Sequence, residues 1–175
     1  MRMSDSKWDL AKLDVGERSA LRRSAGTMVE GESMDALRAF YKACGYCDSK
    51  REAYWFPAVC MDALWRDTDV VKVRPMAECL RAMIGQDASA TASMQHRIDM
   101  LLETPWGRDG FLLGKMLNQV KLLKSKTNLK PDFQMLADDL RRWNDTGHRV
   151  QREWLRILYN AKPITTEEED TNNVD

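Results

Sequence analysis

The sequence predicts an all-α fold, built as two small helical-bundle lobes joined by a short polar linker. Three observations predict it. Apolar residues recur at helical spacing through most of the 175 residues. No segment sustains period-two alternation, and no Asn-Gly or Asp-Gly pair stands between β-branched runs. Helix start and stop signals recur along the chain.

Taken in order, the pattern places helices at 4–13, 16–25, 33–44, 49–66, 75–84, 92–103, 107–125, 132–143 and 147–160. Gly16, Gly26, Gly45 and Gly107 punctuate them. Ser49 with Glu52 reads as a capping box that opens the fourth helix. Pro57 lies inside that helix and is expected to kink it or split it near Phe56. Pro75 suits the first turn of the fifth helix and Gly85 its end. Asp132 is placed to cap the eighth. The stretch Gly85–Ser93 is small and polar, which sets the expected boundary: an N-terminal lobe over 1–88, a C-terminal bundle over 92–162, and a tail over 163–175. The tail holds five acids and no Lys or Arg, and its composition predicts disorder.

Hydrophobic residues make up 43 % and charged residues 31 %, an ordinary balance for a globular chain. Six Trp and eleven Met can fill a core without a cofactor. Formal net charge is zero, from 27 basic and 27 acidic residues, which taken whole argues against a nucleic-acid binder. The distribution argues the other way. Without the tail the body carries 27 basic against 22 acidic residues, and residues 110–160 carry ten against five. A charge excess confined to one part of a chain is the usual footprint of phosphate contact.

The last helix shows this best. Val150, Trp154, Ile157 and Leu158 share one broad face. Arg149, Arg152 and Arg156, spaced i, i+3, i+7, fall within roughly a 60° sector beside it. Guanidinium forks match phosphate oxygens. In 107–125, Leu112, Leu113, Met116, Leu117, Val120 and Leu123 form the apolar face; Lys115 and Lys126 flank one edge and Lys121 the other. Asp138-Asp139 before Arg141-Arg142 reads as a self-neutralising helix surface. In 16–25, Arg18 and Arg22 face one way and Arg23 lies about 100° round. The candidate nucleic-acid contacts are therefore Arg18, Arg22, Arg23, Lys115, Lys121, Arg141, Arg142, Arg149, Arg152 and Arg156.

Nothing argues for catalysis, a metal or a cofactor. His96 and His148 sit in no ligand pattern. Cys44 and Cys47 form a C-x-x-C without the second pair that zinc requires, and a redox motif would need a strand–helix context. Free, inert thiols at Cys44, Cys47, Cys60 and Cys79 are expected. The start of the sequence lacks the apolar core of a signal peptide and no apolar run reaches membrane length, so a cytoplasmic chain is expected. Trp8, Trp143 and Trp154 read as core anchors. A metal-dependent hydrolase using Asp138, Asp139 and Glu103 is a weak rival, and a transcription regulator, for which no helix pair reads as a helix–turn–helix, is weaker still. A helical protein–protein adaptor with no nucleic-acid role is the stronger one.

The order of motifs carries a resemblance. WDLAKL, then Gly16, then Ala20-Leu21-Arg22-Arg23, then AFY at 39–41, resembles the CasB-type small subunits of the type I-E CRISPR Cascade complex. So does the second half: FLLGKMLNQVKLL, then Leu136, Asp139, Leu140 and Trp143 as L-x-x-D-L-x-x-W, then VQREWLRILY. The resemblance implies a non-catalytic, two-lobed helical subunit. It implies a second copy of itself, head to tail, and the Cascade backbone and large subunits as partners. It also implies crRNA and both the target and the displaced non-target DNA strands. Arg22 and Arg23 match the family's Arg-Arg; the other basic residues rest on electrostatics alone. Guide pairing reads sequence in such complexes, so backbone contacts suffice for the protein.

Deleting 163–175 is expected to leave the melting temperature nearly unchanged. A drop of several degrees in calorimetry would show instead that the tail docks on the body.

Overall fold

The computed structural model describes residues 7–30, 32–84 and 88–160, without the side chains of 88–90 and 160. Among the described residues eight α-helices carry the fold: α1 (Val15–Arg23), α2 (Met34–Cys44), α3 (Ser49–Asp62), α4 (Met76–Met83), α5 (Ala88–Glu103), α6 (Phe111–Lys126), α7 (Phe133–Arg141) and α8 (Arg149–Asn160). The all-α reading holds, with one addition: short strands β1 (Lys72–Arg74) and β2 (Leu129–Pro131) pair in parallel, Lys72 opposite Leu129. Three residues are too few to display a period of two, so neither strand shows in the sequence. Asp132 N–H donates to the Arg74 carbonyl at 2.8 Å, closing the ladder where α7 begins.

The first predicted helix, 4–13, shrinks to a 3₁₀ turn over Leu10–Lys12; residues 4–6 lie outside the described ones. Distant partners hold this segment extended. Lys7 Nζ pairs with Asp138 and donates to the Gln134 carbonyl, Trp8 Nε1 donates to Asp62 at 2.8 Å, and Asp9 N–H donates to the Ala43 carbonyl. Asp14 then opens α1 with a true capping box: its carboxylate accepts from Glu17 N–H while Glu17 accepts from Asp14 N–H. The box expected at Ser49 is not there. Asp48, one residue earlier, caps α3 by accepting from Arg51 N–H, and Ser49 is already helical. Asp132 caps α7 as expected. Pro75 sits one residue before α4 rather than within its first turn.

Pro57 does not split α3, which runs unbroken from Ser49 to Asp62. The ring lies inside a fully buried run, Phe56 to Met61, and that packing outweighs the lost backbone bond. Residues 88–93 of the expected connector form the first turns of α5; 85–87, including the expected stop at Gly85, lie outside the described residues. The tail expected to be disordered also lies outside them.

The buried side chains form one cluster that reaches from Trp8 to Leu158. α3 packs on α7 and α1, α6 on α4, and α4 on α8, so helices of both halves share that core. Gly26 fits the end of α1 against α6. It has φ +87°, and a Cβ there would lie 2.6 Å from Leu117 Cδ2.

One polar node fixes α7 to α8. Asp139 is buried, and its Oδ2 accepts from Trp154 Nε1 at 2.9 Å while its Oδ1 meets Arg142 Nη2 at 3.2 Å. Trp154 stands edge-on to Trp143, whose indole N–H donates to the Thr104 carbonyl. Gln151 Nε2 donates to the Trp143 carbonyl at 2.7 Å. Asp139 is therefore no surface residue: of the Asp138-Asp139 pair only Asp138 faces outward.

Replacing Asp139 with Ala strands two donors, and urea unfolding is expected to show a loss of about 2 kcal/mol. Burial pushes the Asp139 carboxyl above the ordinary carboxylate range. The folded chain thus keeps a proton that the unfolded chain has released. This group's contribution to stability is full below the unfolded value, about 4, and is lost as pH rises through the folded one. Asp139→Asn is expected to lack that decline; equal pH slopes in the two proteins would refute the assignment.

Candidate nucleic-acid interface

The ten predicted contact residues separate into those already engaged and those left to solvent. Arg18 Nη2 pairs with Asp67 at 2.9 Å, and the pair holds the Asp67 carboxyl below its usual range. The Arg18 side chain is only 16 % exposed. Arg22 is half-buried, and its Nε donates to the Arg18 carbonyl at 3.4 Å. Arg23 is exposed, with Ser19 Oγ 3.5 Å away. Arg142 belongs to the Asp139 node. Two further cations of the basic C-terminal half are likewise engaged: Lys124 pairs with Asp69 and lies over Trp65, and Lys130 pairs with Asp62.

Lys121, Arg141, Arg149, Arg152 and Arg156 are exposed and Lys115 half-buried; among the described residues none of the six forms an ion pair. The α8 trio is held by packing beneath it. Val150, Trp154 and Leu158 are buried and Ile157 partly so, which is the face the spacing predicts. The three arginines stand beside that face on a helix whose orientation the Asp139 node sets.

Helix electrostatics separate the two arginine groups. α1 carries Glu17 in its first turn and Arg22 and Arg23 in its last, which complements the helix dipole and stabilises the helix. α8 does the reverse. Arg149 and Arg152 stand in its first turn, where no acid accompanies them, against the positive end of the dipole. The residue before α8, His148, has φ +51°, uncommon outside glycine. Cations and strain at the start of one helix lower stability, while anions gain an attractive end.

Two contiguous grooves follow the seam between α5 and α6. Arg97 and Leu122 line both; His96 and Lys115 line one, Lys126 the other. Lys115 and Lys126 share an edge of α6 as the sequence predicts, and Lys121 lines neither groove. Arg97 and Gln119 were missed. Their signal exists only once two helices lie side by side.

The Asp138 and Asp139 carboxylates of the rival hydrolase reading point to different partners. Asp138 turns to Lys7 and Asp139 to Trp154, so they do not converge. Among the described residues no three His, Cys, Asp or Glu side chains gather as a metal site. Burial raises the thiols of Cys44 and Cys79 to about 12 and that of Cys47 to about 11, and pushes Cys60 well up too, so all four stay protonated near neutrality. No helix among the described residues is long and apolar enough to cross a membrane.

A family model described as CRISPR-associated protein Cse2 matches residues 17–159. Among solved structures, the chain is similar to a CRISPR-associated protein of the Cse2 family from Thermus thermophilus, at 27 % identity and TM-score 0.63, over 83 % of this chain and 86 % of that one. It is equally similar to a structure described as CasB from Thermus thermophilus, at 26 % identity and TM-score 0.63 over the same shares. A chain of a CRISPR RNA-guided surveillance complex shares the fold at 20 % identity and TM-score 0.65, over 84 % and 83 %. A search among curated protein sequences finds no match.

Reversing Arg149, Arg152 and Arg156 to Glu is expected to weaken retention on single-stranded DNA at low salt. It is also expected to leave helicity intact and to raise stability by about 0.3–1 kcal/mol through the dipole. Unchanged retention would remove this ridge from the interface.

Proposed function

The chain belongs to the CRISPR-associated Cse2 family, and on that premise we propose that it is the non-catalytic small subunit of a type I-E CRISPR RNA-guided surveillance complex. In this role it holds the guide–target heteroduplex and the displaced non-target strand by their backbones. The observation that carries the reading is the α8 ridge. Three exposed arginines, without an ion pair among the described residues, stand along one helix, within a chain matched by that family over 17–159. The ridge presents charge without any base-reading arrangement, which is what a protein needs when guide pairing reads the sequence.

Neutral overall charge fits this role. A subunit embedded among others need not capture nucleic acid alone, because its neighbours already confine the strand. Exposed apolar residues such as Phe111, Tyr46 and Val70 offer contacts to backbone and large subunits or to a second copy. The two-lobe division and the cytoplasmic setting belong to the same reading. On it, the lobes meet where α3 packs on α7 and α4 on α8.

Tagged protein purified from its native cells is expected to bring down larger protein partners and a uniform short RNA with repeat-derived ends, identified by sequencing. A lone monomer or dimer without RNA, from cells expressing the neighbouring genes, would overturn the assignment in favour of a protein-only adaptor.

A further inference from the structure

The exposed side of α8 has two adjoining edges. At about 100° per residue, Arg149, Arg152 and Arg156 form one edge, and Leu155 and Tyr159 form the next. Leu155 is 37 % exposed and Tyr159 46 %. The three arginines form no ion pair among the described residues. Glu153 is the one acid in the sequence of α8. It pairs with none of them, although Arg149 stands four residues before it and Arg156 three after. The helix thus presents three cations flanked by exposed apolar surface.

The sequence that follows α8 has the complementary chemistry. Glu167, Glu168, Glu169 and Asp170 are consecutive, and Ile164 stands between them and the helix. Reach allows the two to meet. Glu167 is seven residues beyond Asn160, which is up to about 24 Å of extended chain. Arg149 lies about 17 Å back along the helix at 1.5 Å per residue. Pro163 has no N–H with which to lengthen α8, so the acids are not bound to be carried onward along its axis. Polarity favours the return, because acids are repelled by the C-terminal end of a helix and attracted to its N-terminal end. The first turn of α8 holds Arg149 and Arg152 and no acid. Exposed ion pairs are individually weak. A tether of six residues, 161–166, however sets an effective concentration on the order of millimolar, against which a nucleic-acid strand must compete.

We propose that residues 164–170 fold back on α8 as an intramolecular competitor. The four acids neutralise Arg149, Arg152 and Arg156, and Ile164 packs against Leu155 and Tyr159. The docking stands on this chain's own residues; its role as a competitor rests on the functional reading above. A contact populated about twofold over the open form moves the melting temperature by only about 2 °C. Near-constant melting on deletion of the tail is therefore compatible with it, and the contact is read locally instead.

Proton–nitrogen NMR spectra of the full chain at low salt are compared with those of a chain ending at residue 162. A second comparison is with Glu167→Gln, Glu168→Gln, Glu169→Gln and Asp170→Asn together. Both changes are expected to shift the α8 amides over 149–156 and the side-chain Nε–Hε signals of Arg149, Arg152 and Arg156. The shifts are expected to vanish at about 1 M salt, where screening acts within about 3 Å. Arg149→Ala, Arg152→Ala and Arg156→Ala together are expected to bring the tail amides to the positions they have in a synthetic peptide of residues 163–175. If that variant fails to fold, the tail variants still decide the docking, since they change no residue of the described body. α8 signals that stay in place, or shifts confined to the α5–α6 seam, overturn it. Affinity for a labelled single-stranded DNA oligonucleotide is then read by fluorescence anisotropy. Removing the tail is expected to tighten binding about threefold at low salt, the factor that a twofold-populated competitor takes away. Equal affinity with the α8 shifts present overturns the competitor role. If no form binds the oligonucleotide, the functional reading falls and the competitor role with it, while the spectra still decide the docking.

Discussion

A buried carboxylate between α7 and α8 is the constraint on which the orientation of the α8 arginine ridge depends. Asp139 lies within the hydrophobic cluster, where an isolated charge is costly, and its retention requires Trp154 and Arg142 in their places. Those partners define the rotation of α8 about its own axis. Trp154 cannot reach Asp139 unless Val150 and Leu158 also face the core. With that face inward, Arg149, Arg152 and Arg156 face solvent. The node contributes little by way of net energy beyond what an apolar pair would; it contributes register. An arginine ridge on a helix free to roll would not present a line of charge.

The basic residues are not one population. Arg18, Lys124, Lys130 and Arg142 bind carboxylates of the same chain and link its elements: α1 to the loop after α3, α6 to that same loop, β2 to α3, and α7 to the α8 indole through Asp139. Arg22 and Arg23 sit where a helix favours cations. After these are set aside, the described cations of the second half without an ion pair include the α8 trio, Arg141, Lys121, Lys115 and Lys126. A formal charge of zero therefore does not mean that the basic residues are all paired. About half of the acids that balance the count form ion pairs or stand in the segment after 163.

Much of this was legible in the sequence where one helix decides the outcome. The buried faces of α6 and α8, the Asp132 cap and the α8 arginine sector follow from a period of 3.6 residues and need no knowledge of neighbours. What failed to show was decided between elements. Lys7–Asp9 is extended because its partners sit on α2, α3 and α7. Pro57 remains helical because the run around it is wholly buried. Each three-residue strand exists only because the other lies beside it. Asp139 looked like half of a surface charge cluster because its spacing to Arg142 is that of a surface pair, and no local signal reveals an indole fifteen residues on. Asp48 and Ser49 are both good caps, and local sequence does not choose between them.

The same distinction explains why the contact list drawn from sequence mixed structural with available cations. Counting arginines on a helical wheel finds those that face away from that helix's own core, yet facing away is not the same as being free. Arg18 leaves the α1 core only to meet Asp67. Arg97 was passed over because a single cation on α5 forms no ridge, yet α6 supplies Lys115 and Lys126 across a groove and makes it part of one. A strand of phosphates is recognised by charge laid out over distance, and that layout belongs to pairs of helices. Which cations are available to a partner is therefore decided by the packing of helices, not by the basic cluster in sequence.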